Sequence, residues 1–217
     1  MSYTLYNFFR SSASWRVRIA LGWKRLEYRY VPVHLVKDGG GQHSPEHRAR
    51  NPMAQVPVLE WEEGGQKRQL AQSLAILELL EARHPSPPLL PKDPYLAGRA
   101  RMLAEIVNAG IQPFQNLTTL AKVRALGGDD RAFARDFIAA GLSAYEASAS
   151  DVAGHFSVGD APSFADVCLV PQLNAARRFG VDLGPFARLV AIEAHCAQLP
   201  AFAAAHADNQ IDTEGKP

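Results

Sequence analysis

Two adjacent hydroxyls, Ser11 and Ser12, stand in the stretch RSSASWRVRIAL, where a β-prone run gives way to helical spacing. A single serine at such a junction ordinarily caps the helix. A pair of them at a helix N-terminus can do more. Unpaired N–H groups and the positive end of the helix dipole gather there, so the place suits an anion, and a hydroxyl donor would lower the pKa of a thiol brought beside it. Val56-Pro57, in NPMAQVPVLEW, stands before a strand and admits two readings. A trans bond makes this an ordinary loop proline. A cis bond would aim the Val56 N–H and C=O out of the sheet edge, where an extended ligand could pair with them. Gln72-Ser73 opens another helical run, with Ser73 placed as N-cap and the other first-turn N–H groups available to a carboxylate. Gln42, after three glycines, is on its own only a loop glutamine.

Other motifs resolve to structure. His43-Ser44-Pro45-Glu46-His47 fits the spacing of the H-x-x-E-H zinc motif, which requires both histidines on one helix. Pro45 belongs at the first helical position, leaving His43 outside, so no metal site is expected. Ser163 and Asp166, in GDAPSFADVCLVPQ, form a capping box that should start a core helix. Cys168 and Cys196 lack ligand spacing and lie in apolar helical stretches, which reads as buried thiols in a reducing compartment.

The elements that must position these residues follow from the hydrophobic periods. YTLYNFF (3–9) reads as a first strand, and a helix runs from Ser12. YRYVPVHL (28–35) alternates, but Pro32 confines it to a sheet edge. A short polar helix begins at Pro45. VPVLEW and QKRQLA form a hairpin around Glu63-Gly64-Gly65, and a helix from Ser73 ends near Pro85. Residues 85–94 hold five prolines in ten positions, a stiff linker. Helical stretches then follow at 95–126, 130–152, 163–179 and 186–198. The expected architecture is an α/β domain over 1–85, a linker over 86–94 and an all-α domain over 95–217.

Of the 217 residues, 47% are hydrophobic and 21% charged, and the net charge is +1, so a folded globular chain is expected with no pull toward nucleic acid or membrane. Residues 1–84 carry 12 Lys/Arg against 8 Asp/Glu, which would favour an anionic ligand. With no signal peptide before Tyr3 and no long uncharged apolar run, a cytoplasmic location is expected.

Taken together, RSSASWRVRIAL, KDGGGQ, NPMAQVP, QSLAI, LLPKDP, GIQPFQNL and GDAPSFADVCLVPQ resemble the zeta class of the glutathione transferases, which includes maleylacetoacetate and maleylpyruvate isomerases. The resemblance implies a thioredoxin-like N-terminal domain, a helical C-terminal domain, a homodimer and glutathione as the bound thiol. It implies glutathione contacts at Ser11, Ser12, Gln42, Val56, Gln72 and Ser73, with Gln112 and Asn116 from the helical domain. Ser11 takes the thiol-activating place, and Arg10 and Arg178 match arginines around a small acidic substrate. The implied reaction is cis–trans isomerisation of a maleyl diketo acid. Rival readings are a general transferase, an α-haloacid dehalogenase or a non-catalytic glutathione-binding protein. Ala13 replaces a cysteine that the family usually carries after its two serines and uses in reductive dehalogenation. That departure weighs against dehalogenation.

Overall fold

The computed structural model describes residues 2–213. Four strands form one mixed sheet in the order β2-β1-β3-β4. Strand β1 (Tyr3–Asn7) lies beside β2 (Tyr28–Pro32) in parallel and beside β3 (Val58–Glu63) antiparallel, and β4 (Gln66–Ala71) closes the other edge against β3. Leu5, Val58 and Leu59 are fully buried. Pro32 ends the edge strand opposite Asn7, where its missing N–H costs the ladder least. Gly64 and Gly65 both take positive φ, 59° and 72°, as the tight β3–β4 turn demands.

Helix α1 (Ser12–Trp23) is buried nearly throughout, with Val17, Ile19, Ala20 and Leu21 fully enclosed. Helices α2 (Pro45–Arg50) and α3 (Ser73–Arg83) complete the α/β part, with α1 packed against α3. Pro45 occupies the start of α2 and Ser44 caps it, accepting from His47 N–H at 3.1 Å. His43 belongs to the preceding 3-10 turn (Gly41–His43).

A second compact unit, Leu89–Gln198, is all-helical: α4 (Pro94–Gly110), α5 (Leu117–Ala125), α6 (Asp130–Ala149), α7 (Phe164–Phe179) and α8 (Ala187–Ala197). Its central helix is α7, buried over most of its length and touching α4, α6 and α8. The Ser163–Asp166 capping box starts it, and Gly180 at φ 76° ends it.

Two expectations need correction. The single helical stretch over 95–126 is broken: α4 stops at Gly110, a 3-10 turn (Gln112–Gln115) follows, and Asn116 caps α5 by accepting from Thr118 N–H at 3.0 Å. Pro113, without an N–H, cannot continue a helix but fits the first positions of a new turn. The end of the chain also departs from the expected helical domain. From Leu199 it belongs with the first unit, which also holds the residues through Pro88. Helix α9 (Pro200–Ala205) packs on α1. The rest of that expectation, 214–217, lies outside the described residues.

Candidate functional site

Residues 8–11 form the turn between β1 and α1, and hydrogen bonds hold the main chain of Phe8, Phe9 and Ser11. The Phe8 N–H donates to Ser14 Oγ at 3.4 Å, and the Phe8 carbonyl accepts from Ser11 N–H at 3.0 Å and from Arg18 Nη1 at 3.3 Å. Arg18 Nη2 reaches the Phe9 carbonyl at 2.8 Å, and the Phe9 N–H donates to Asp212 Oδ2 at 3.1 Å. Ser11 is the N-cap of α1, its Oγ accepting from Ser14 N–H at 3.2 Å. A hydroxyl has one donor and two acceptor sites, so the capping bond leaves its proton available. The structural and the chemical readings of Ser11 therefore hold together. Ser12, the first helical residue, is buried, Ala13 is half-buried, and no acidic residue sits in the first turn. Arg10 is exposed, with its guanidinium 5.8 Å from the Phe9 ring and 5.9 Å from the Phe8 ring.

A second helix start lies in the same unit. The N-cap of α3 is Gln72, not Ser73: Gln72 takes φ 71°, makes no side-chain capping bond and is exposed. Ser73 is the first helical residue, and its Oγ instead accepts from Arg16 Nη1 at 3.1 Å. The reason is Arg16, a fully buried cation of α1 that takes up the hydroxyl. With no side-chain cap and no acid in its first turn, α3 keeps N–H groups suited to a carboxylate.

Gln42 is buried, and its Nε2 donates to the Leu35 carbonyl at 3.1 Å while Oε1 has no partner among the described residues. Gly40, at φ 90°, makes room for that amide, since a Cβ there would lie 2.5 Å from Gln42 Nε2. The Val56–Pro57 bond is cis, and the Val56 main chain makes no hydrogen bond among the described residues. Tyr6 is a buried strand residue beneath Arg50, whose guanidinium is 4.3 Å from its ring centre.

In the helical unit, Gln112 opens the 3-10 turn, with Oε1 buried and without a partner among the described residues. Asn116 spends its side-chain oxygen on the α5 cap. Their neighbour Gln115 exchanges two amide bonds with the fully buried Gln172, at 2.8 and 3.1 Å. Of the adjacent arginines on α7, Arg177 is committed to the Glu193 carboxylate. Arg178 is exposed, 5.9 Å above the Phe179 ring, and its carbonyl accepts from Arg131 Nη2 at 3.0 Å. Cys168 and Cys196 are fully buried and form no disulfide, and burial pushes the Cys196 thiol well up.

The sequence reading missed Arg16, Arg18 and Asp212. Burial pulls the pKa of Arg18 below its ordinary value, while Tyr30, Tyr28 and Asp212 nearby act the other way. The available signal was the RVR spacing, which puts two arginines in a helix otherwise apolar on its inner face.

Residues 5–88 match the family model for the glutathione S-transferase N-terminal domain. Maleylacetoacetate isomerase of Rattus norvegicus is 45% identical over 210 residues, spanning 96% of this chain and 94% of its own. A structure of maleylacetoacetate isomerase from Anaeromyxobacter dehalogenans 2CP-1, with glutathione in the active site, matches with TM-score 0.89 and 51% identity, covering 97% of each chain. The same protein has been solved with dicarboxyethyl glutathione and citrate in its active site. A bacterial maleylpyruvate isomerase, a zeta-class glutathione transferase, matches with TM-score 0.89 and 41% identity over 97% of this chain and 99% of its own. With its thioredoxin-like unit and helical unit, this chain belongs to the glutathione transferases, and within them to the zeta class of maleylacetoacetate and maleylpyruvate isomerases.

Proposed function

We propose that the protein is a glutathione-dependent cis–trans isomerase of a maleyl diketo acid, maleylacetoacetate or maleylpyruvate. The observation that carries this reading is the 8–11 turn. It places the Ser11 hydroxyl, with its proton available, at an acid-free helix start and puts an exposed arginine next to it. Glutathione fits further polar groups of the same unit. Gln42 Oε1 is a buried acceptor without a partner among the described residues, the Val56 main chain can pair with an extended peptide, and the acid-free start of α3 suits a carboxylate.

Bound glutathione supplies a thiolate that can add to the cis double bond and depart once the resulting single bond has turned. Ser11 Oγ–H donates to the sulfur and, with the α1 dipole, favours its ionised form. Arg10 pairs with a substrate carboxylate. Ser12, Gln72 and Ser73 line the glutathione side, the Ser73 hydroxyl held in place by Arg16. The roles of Gln112, Asn116 and Arg178 rest on the resemblance. A homodimer and a cytoplasmic location complete the reading. Among the described residues no helix is long and apolar enough to cross a membrane.

The test compares two substrates of one site. Arg10→Met should raise KM for the maleyl acid roughly 10- to 150-fold, the worth of one charge-assisted contact. Conjugation of glutathione to chlorodinitrobenzene, which has no carboxylate, should stay near wild type. Equal losses in both assays would assign Arg10 to the fold or to the glutathione side instead.

A further inference from the structure

Ser11 and Arg10 are only as well placed as the turn that carries them, and one support of that turn arrives from far along the chain. Asp212 follows α9 and the 3-10 turn (Ala207–Asn209), and it is half-buried, bonded to Phe9 of the turn after β1 and to Tyr30 of β2 in its own unit. One carboxylate oxygen, Oδ2, accepts the Phe9 N–H at 3.1 Å, and the other accepts the Tyr30 hydroxyl in a short bond. Burial and that bond hold the Tyr30 proton on its oxygen far above the ordinary tyrosine range, so the hydroxyl remains a donor. The Phe8 and Phe9 carbonyls of the turn both accept from Arg18. Arg18 is itself anchored to the segment that bears Asp212, through the Ala205 carbonyl at 3.2 Å from both Nε and Nη2.

The segment is itself tied down by local bonds. Gln210 Nε2 donates to the Ala204 and His206 carbonyls at 2.9 and 2.8 Å, Thr213 Oγ1 donates to the Ala207 carbonyl at 2.7 Å, and His206 stacks edgewise on Trp15, 4.7 Å between ring centres. Resting on the functional reading above, we propose that Asp212 is a positioning residue for the site. It fixes the Phe9 peptide, and through it the places of Arg10 and Ser11, without touching glutathione or substrate.

Asp212→Ala and Asp212→Asn test this in the full chain. In the glutathione-free protein, the Phe9 amide of Asp212→Ala should lose its protection against hydrogen exchange, while amides of β3 keep theirs. With glutathione bound, the thiol, titrated by its ultraviolet thiolate absorbance, should ionise at higher pH than in wild type. A misplacement of about 1 Å at Ser11 would lower kcat/KM about 10- to 100-fold. Asp212→Asn keeps one acceptor oxygen and should fall between the other two in all three readouts. A folded Asp212→Ala protein with wild-type Phe9 exchange and thiol titration overturns the proposal, as does an Asp212→Asn variant no better than alanine. Should the alanine variant not fold, Asp212→Asn decides alone: a wild-type titration overturns the proposal, and a raised one supports it. A wild-type chain that ionises glutathione without isomerising a maleyl acid sinks only the isomerase reading, and the exchange and titration results still decide on Asp212.

Discussion

On the proposed reading Ser11 serves two ends with one hydroxyl: its oxygen accepts the Ser14 N–H that caps α1, and its proton is left for the bound thiolate. Ser11→Ala should therefore show two separable losses. The missing cap costs about 1 kcal/mol of stability, readable as a lower Tm. The missing donor lowers glutathione-dependent isomerase kcat/KM at least about tenfold, as removal of a donor to a developing anion does. Ser11→Thr retains both the acceptor and the donor and should recover most of each. Near-wild-type kcat/KM in Ser11→Ala would move the role to Ser12. The place of Ser11 at the start of α1 was legible because it is set by its immediate neighbours, a strand ending and a helix beginning. Asp212 was not, because its partner Phe9 is 203 positions away, and no local pattern marks an aspartate near the end of a polar run. Ser73 shows a subtler failure. Its place at a helix start was visible, but the buried Arg16 that claims its hydroxyl and shifts the cap to Gln72 comes from another helix.

Elements were read well where their signals were local. The edge place of β2 followed from Pro32, the β3–β4 hairpin from its paired glycines, and α7 from its capping box. That box is tightly knit. The fully buried Asp166 accepts from Ser157 N–H at 2.7 Å, Ser163 N–H at 2.8 Å and Ser163 Oγ at 2.9 Å. Asp166→Ala would strand two buried N–H donors at the head of the central helix of its unit, an expected cost of about 2–5 kcal/mol in chemical denaturation. Ser163→Ala, which leaves Asp166 in place, should cost only about 1 kcal/mol. Comparable losses for the two variants would mean that the carboxylate contributes no more to the turn than the serine does. The break between α4 and α5 escaped notice because apolar spacing continues through GIQPFQNL; only Pro113 and the capping Asn116 mark it, and both also fit a kinked single helix.

At the scale of the whole molecule, composition placed the chain among folded globular proteins, and the proline-rich stretch marked where one unit gives way to the other. It gave no sign that the chain returns to its first unit at Leu199. Sequence order suggests a domain that simply continues, whereas an alanine-rich face on α9 and two carbonyl bonds from a buried arginine bring it back to α1. The consequence is that the unit carrying Ser11 is built from both ends of the described chain. The central claim, catalysis of isomerisation with glutathione returned unchanged, is tested most directly by supplying glutathione in much smaller amount than a maleyl diketo acid and following both species. The account predicts many conversions of the cis acid to its trans isomer per glutathione, with the glutathione concentration constant throughout. Consumption of one glutathione per substrate, or binding without conversion, would contradict it.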